Sequence, residues 1–172
     1  MTDRIDWSAV RADFPILQRE VHGKPLVYLD SANTAQKPVA VIDAVDGFYR
    51  RHNANVSRAV HQLGAEATEA YEGARQKIAA FFNIHPDDLV LTSGTTQSIN
   101  LVAYSFALPR LQPGDVILVT RMEHHANMVP WQLIAERTGA HILPVEITPE
   151  GELDLPALKA QLKAPAKILA LS

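Results

Sequence analysis

The chain has 172 residues, 47% of them hydrophobic and 20% charged, which is enough for a domain with a real core. Sixteen basic residues against nineteen acidic ones leave a net charge of −3, and no basic block marks a nucleic-acid surface. No apolar run approaches the roughly 18 residues of a membrane helix, the opening MTDRIDWSAVRADFP lacks the apolar core of a signal peptide, and no cysteine is present for a disulfide, a thiolate metal site or a nucleophile.

These features describe a soluble domain expected in the cytoplasm. In chain order, Asp6 is placed to cap a short amphipathic helix carrying Val10, Phe14 and Leu17, which Gly23 and Pro25 end. PLVYLD (25–30) reads as a brief extended run, followed by the polar loop SANTAQKP. Pro38 then opens a helix through VIDAVDGFYR, since proline in a first turn costs no helical hydrogen bond. HNANVSRAVHQ (52–62) follows neither period and is predicted irregular, with a long helix after it from about Ala65 to Phe82.

Beyond that point strands and helices alternate. DLVLTS (88–93), DVILVT (115–120), AHILPVEI (140–147) and AKILALS (166–172) are predicted strands. Between them lie predicted helices at 95–108, at 127–139, where Gly139 is the stop, and at 153–162. Strands rich in Val, Ile and Leu, separated by single helices, argue for an α/β fold with a mostly parallel sheet covered on both faces. The final strand runs to Ser172 with no turn after it. Ligands of a parallel sheet bind beyond the carboxyl ends of its strands, so the chain reads as the first part of something longer.

Four stretches carry candidate chemistry. In TSGTTQSIN (92–100) a strand gives way at Gly94 to a helix opened by Thr95 and Thr96. Free backbone N–H groups, the positive end of a helix dipole and two hydroxyls suit a phosphate. The spacing matches neither the P-loop nor the dinucleotide fingerprint, and a Ser/Thr helix cap without ligand is the plain alternative.

In RMEHHANMVPWQ (121–132), His124 and His125 occupy the equivalent place after the next strand. Adjacent residues point in different directions and would rarely chelate one ion, Glu123 does not repair that, and HExxH is absent. A planar imidazole beyond the same sheet edge as a phosphate cup is suited to stack on a flat phosphorylated cofactor. Equally, one histidine could cap the helix near Asn127 and the other be solvated or packed. The loop YLDSANTAQKP (28–38) and the pair Arg58 and His61 complete the set. Turn formation and a solvated arginine are the ordinary alternatives there.

Taken together, VRADFPIL, GKPLVYLDSA, QKPVAVIDAVDGFY, SGTTQSINLVA, GDVILVT and MEHHANMVPWQ resemble the amino-terminal part of the SufS/CsdA-type (group II) cysteine desulfurases. Those are class V aminotransferase enzymes of pyridoxal-phosphate fold-type I, and the resemblance covers essentially the whole chain. It implies an N-terminal helical segment over 1–24 and the first part of a pyridoxal-phosphate-binding large domain over 25–172. It also implies that Thr95 and Thr96 bind the cofactor phosphate and that His124 stacks on the pyridine ring and takes part in catalysis. By the same resemblance His125 and Asn127 hold the loop, Ala32 and Asn33 border the substrate, and Arg58 reaches towards a partner subunit's site. The family often has histidine where this chain has Ser57, and DSAA or DSAS where it has DSANT.

The implied reaction converts L-cysteine to L-alanine with a persulfide left on an enzyme thiolate, which passes to a SufE-like acceptor for iron–sulfur cluster assembly. A homodimer is implied as well. The family's Schiff-base lysine, its acidic residue under the pyridine nitrogen and its nucleophilic cysteine have no counterpart among these residues. Lys167 enters its strand at the wrong end, roughly 16 Å from the carboxyl edge at ~3.3 Å per residue. The chain alone is therefore expected to be inactive, with a second chain or further sequence completing the site. Rivals are a selenocysteine lyase or other class V enzyme, a non-catalytic binding or scaffold module, and a metal-binding domain using His124, His125 and His61.

Overall fold

A computed structural model describes residues 5–32, 34–57, 60–163 and 166–172. The chain forms two compact units, which divide between Leu89 and Val90.

In the first unit, helix α1 (Trp7–Ala12) starts where the sequence predicts, because the Asp6 carboxylate accepts from the Ser8 and Ala9 amides. A 3-10 turn, Pro15–Gln18, follows. The next residues form an element too short for periodicity to reveal, a hairpin of β1 (Glu20–Val21) and β2 (Lys24–Pro25). His22 and Gly23 turn it with φ of 52° and 70°, the pair of positive values that a two-residue hairpin requires. The Arg11 guanidinium donates to the Leu17 and Leu26 carbonyls, both at 2.7 Å, and so ties helix, turn and hairpin together.

Helix α2 (Val39–Arg51) is entered through Pro38, and α3 (Gln62–Phe82) begins slightly earlier than its pattern predicts. The cause is His61, whose Nδ1 accepts from the Gly64 amide at 3.1 Å and caps the helix. The irregular loop between them is tied to α3 by His52 to Glu66 (3.2 Å) and by the Ser57 amide to Thr68 Oγ1 (2.9 Å). The Glu66 carboxyl is held below its ordinary range by hydrogen bonds, first from Gln62 and then from His52.

The predicted strand at 88–93 requires correction. Residues 86–88 form a 3-10 turn and 89–92 carry no regular structure. A strand exists only through a ladder with a neighbour, and among the described residues none pairs with it.

In the second unit, α4 (Thr95–Val102) runs on into one π-helical turn, Ala103–Ala107. Three parallel strands follow, β3 (Val116–Thr120), β4 (His141–Val145) and β5 (Ala166–Ala170), in the spatial order β4–β3–β5. Helix α5 (Val129–Thr138) joins the first two, and α6 (Leu155–Gln161) leads into the third. Gly139 ends α5 in the left-handed region at φ 74°, and a Cβ there would press on Pro113 at 3.2 Å.

All five residues of β3 are buried, and their alternation sorts the core into two layers. Ile117 and Val119 pack with Ala103, Ala107, Trp131 and Ile134 of the α4–α5 layer. Val116 and Leu118 pack with Val145 and Leu158 on the opposite side. This is the parallel α/β arrangement, with helices on both faces, that the sequence predicts.

Outside this core, large apolar side chains stay in water. Leu29 is 91% exposed, Phe81 84%, Val27 75% and Val90 63%, more than isolated surface residues explain. We expect these 172 residues on their own to bind a hydrophobic dye and to aggregate with concentration in a thermal scan. A sharp, concentration-independent transition without dye binding would contradict this.

Candidate functional site

The first half of the site is the turn into α4. Gly94 stands before the helix at φ 154° and ψ 175°, a backbone region that is essentially restricted to glycine. The turn is held by its own side chains. Gln97 Oε1 accepts from the Ser93 amide at 2.7 Å and from the Ser93 hydroxyl at 2.8 Å. Thr92 Oγ1 and Ser98 Oγ lie 2.7 Å apart. Among the described residues no side chain caps the helix, and the first internal bond is donated by the Ser98 amide to the Gly94 carbonyl at 3.1 Å. The Thr95, Thr96 and Gln97 amides are left without a protein acceptor among the described residues, beside two exposed threonines. Donors converging at a helix N-terminus form an anion cup.

The second half follows β3. His124 precedes the 3-10 turn His125–Asn127, and its Nδ1 accepts from the Ala126 amide at 3.1 Å. The capping role considered for one histidine therefore belongs to His124. Its ring nevertheless remains exposed, so capping and stacking are compatible. With Nδ1 acting as acceptor, the neutral ring carries its proton on Nε2. The His125 ring is 6.1 Å away and turned by 82°, a geometry unsuited to sharing an ion. Among the described residues, no group of three or more His, Asp or Glu is placed to hold a metal. Helix α4 packs against the 125–127 turn, which brings the cup and the histidine together in one unit.

Glu123, set aside by its pattern, is the structural centre of this half. It is only 8% exposed. Its Oε1 accepts from Thr120 Oγ1 at 2.9 Å and the Ser172 amide at 2.8 Å. Oε2 accepts from Asn127 Nδ2 at 2.9 Å and Ser172 Oγ at 3.1 Å. Asn127 Oδ1 in turn accepts from Trp131 Nε1 at 3.0 Å. Burial pushes the Glu123 pKa up, but the bonds from Asn127, Thr120 and Ser172 outweigh it and hold the carboxyl below its ordinary range. Neighbouring Arg121 pairs instead with Glu146 at 2.6 Å.

Ala32 lies in an exposed turn of the first unit. Asn33 and Arg58 lie outside the described residues. Ser57 adopts φ 65°, an uncommon conformation for a residue with a side chain.

The family described as Aminotransferase class-V matches residues 27–172. The chain belongs to the class-V aminotransferase family. Within it, the chain is 66% identical over 167 residues to a protein of Xylella fastidiosa (strain Temecula1) named probable cysteine desulfurase, covering 97% of this chain and 40% of that one. The apo structure of a cysteine desulfurase from Thermococcus onnurineus NA1 superimposes with a TM-score of 0.85 at 33% identity, over 98% of this chain and 40% of that one. The cysteine desulfurase CsdA of Escherichia coli gives 0.78 at 40% identity, over 97% and 41%. The chain thus spans about 40% of the length of the relatives it matches.

Because the folded-state pKa of Glu123 is depressed, its stabilisation is complete above the range of an unfolded glutamate. It is lost as pH falls through the folded value. Glu123→Gln should therefore lower the stability of the complete polypeptide near neutrality by about 1–3 kcal/mol. In urea melts the gap to the unsubstituted protein should narrow on acidification. A gap that widens in acid would contradict the assignment.

Proposed function

We propose that this chain is the part of a pyridoxal-phosphate-dependent cysteine desulfurase that binds the cofactor phosphate and covers one face of its ring. The observation that carries the reading is the set of unpartnered amides at Thr95–Gln97, on a helix packed against the turn that presents His124. The residues fit the group. The cup offers amides, two hydroxyls and a glycine whose conformation leaves the approach open, with nothing within 4 Å of a notional Cβ. Bound pyridoxal phosphate supplies an electron sink for chemistry at the substrate Cα.

Within that scheme the Thr95, Thr96 and Gln97 amides and the threonine hydroxyls hold the phosphate dianion, with the helix dipole adding to their attraction. The His124 ring covers the pyridine face and excludes water from it. Since Nδ1 is occupied by Ala126 N–H, Nε2 is the atom at which His124 holds or passes a proton. Ala32, Asn33 and Arg58 are assigned to the substrate border and the partner subunit's site, in a homodimer.

The first part of the large domain is assigned to residues 25–172, after an N-terminal segment, 1–24, whose described residues include helix α1, a 3-10 turn and strand β1. The particular class is the SufS/CsdA type, acting in the cytoplasm on L-cysteine and delivering sulfur to a SufE-like acceptor for iron–sulfur cluster assembly. The 172 residues contain no cysteine, so the persulfide requires a thiol outside them. By themselves they release no alanine from L-cysteine.

The test is cofactor binding by the complete polypeptide. Hydrogen bonds to charged groups are worth about 1.5–3 kcal/mol, so replacing Thr95 and Thr96 together by valine should weaken pyridoxal phosphate binding by at least tenfold. Binding of pyridoxal without its phosphate should stay unchanged. Equal weakening of both ligands, or of neither, would contradict the phosphate assignment. Turnover of L-selenocysteine without turnover of L-cysteine would instead select the lyase alternative.

A further inference from the structure

We propose that Glu123 is a positioning residue for His124, its buried carboxylate fixing the turn from which the histidine ring projects. The functional consequence rests on the cofactor reading above; the geometric claim does not. A buried carboxylate costs stability unless every lone pair it turns inward finds a donor. Here each oxygen takes two donors, and none of the four belongs to a cation. The donors come from three separate places: Thr120 at the end of β3, Asn127 just before α5, and Ser172 just beyond β5. One side chain thus gathers the carboxyl ends of two adjacent strands and the start of a helix. In a sheet ordered β4–β3–β5, with β3 connected onward to β4, the β3–β5 crevice is where such folds bind ligands.

His124, His125 and Ala126 lie between the two clamped residues. The Glu123–Asn127 side-chain bond at 2.9 Å closes this segment, and the Asn127 amide donates to the His124 carbonyl at 2.8 Å. Trp131, 4% exposed, takes the other end of the Asn127 amide and so decides that the Nδ2 end faces Glu123. Only while this turn keeps its shape does Ala126 N–H reach His124 Nδ1. The carboxylate therefore acts on the histidine through the backbone, setting both its direction and its tautomer without touching it.

The test is made in the complete polypeptide with nitrogen-labelled histidine, comparing Glu123→Gln with Ile134→Val. The second variant trims the same core, where Ile134 is fully buried, without touching the carboxylate network. We expect the imidazole nitrogen shifts of His124 to report a single Nε2-protonated tautomer in the unsubstituted protein and in Ile134→Val, and a mixture in Glu123→Gln. Bound pyridoxal phosphate should remain in Glu123→Gln but lose its visible circular dichroism. kcat should fall by up to about 10²-fold, as for a group misplaced by an ångström, with KM little changed. A single tautomer retained in Glu123→Gln would overturn the proposal, as would equal tautomer mixing in both variants. If Glu123→Gln does not fold, Asn127→Ala breaks the same clamp from its other end, and an unchanged tautomer there overturns it equally. Absence of cofactor from the unsubstituted protein would count against the proposed function alone, because the tautomer comparison needs no cofactor.

Discussion

The carboxylate of Glu123 is the point on which the second unit's site depends. A charge with so little exposure is tolerable only because hydroxyl, amide and backbone donors surround it. Satisfying those donors brings two strand ends and a helix start together. The turn that presents His124 follows from that convergence. The turn at 125–127 has its shape because Glu123 and Asn127, both buried, are joined across it, with His124 and His125 left exposed between them. The turn into α4, the proposed phosphate cup, is built on the opposite principle. Its side chains bind one another, Gln97 to Ser93 and Thr92 to Ser98, so that the helix amides are left to a ligand. One half of the site saturates its donors and the other half withholds them.

Much of this was legible in the chain. The apolar run VILVT gave the central strand, because residues buried on both faces read as an unbroken hydrophobic string. Gly139 and Asp6 marked helix ends through local chemistry that requires no tertiary partner. The glycine–threonine turn into α4 and the exposed histidine after β3 are recognisable because each is a property of a short segment.

What escaped the sequence depends on distance or on scale. Ser172 lies 49 residues from Glu123, so no spacing rule links them, and a glutamate beside two histidines attracts attention as a failed metal ligand instead. The hairpin at 20–25 has two residues per strand, too few for alternation to register. The π turn at the end of α4, with its bond from the Leu108 amide to the Ala103 carbonyl at 2.9 Å, lies within a run whose hydrophobic pattern is otherwise helical. The strand anticipated at 88–93 had the right composition, but composition does not supply a neighbour for its ladder.

The site therefore rests on one interior anion and on one turn of free helix amides, packed together in the second unit. The most direct measurement is a crystal structure of the complete polypeptide with pyridoxal phosphate. The phosphate is expected on the Thr95–Gln97 amides, with the His124 imidazole parallel to the pyridine ring and Glu123 still bound to Asn127. A phosphate seated elsewhere, or a His124 ring turned away from the cofactor, would contradict it.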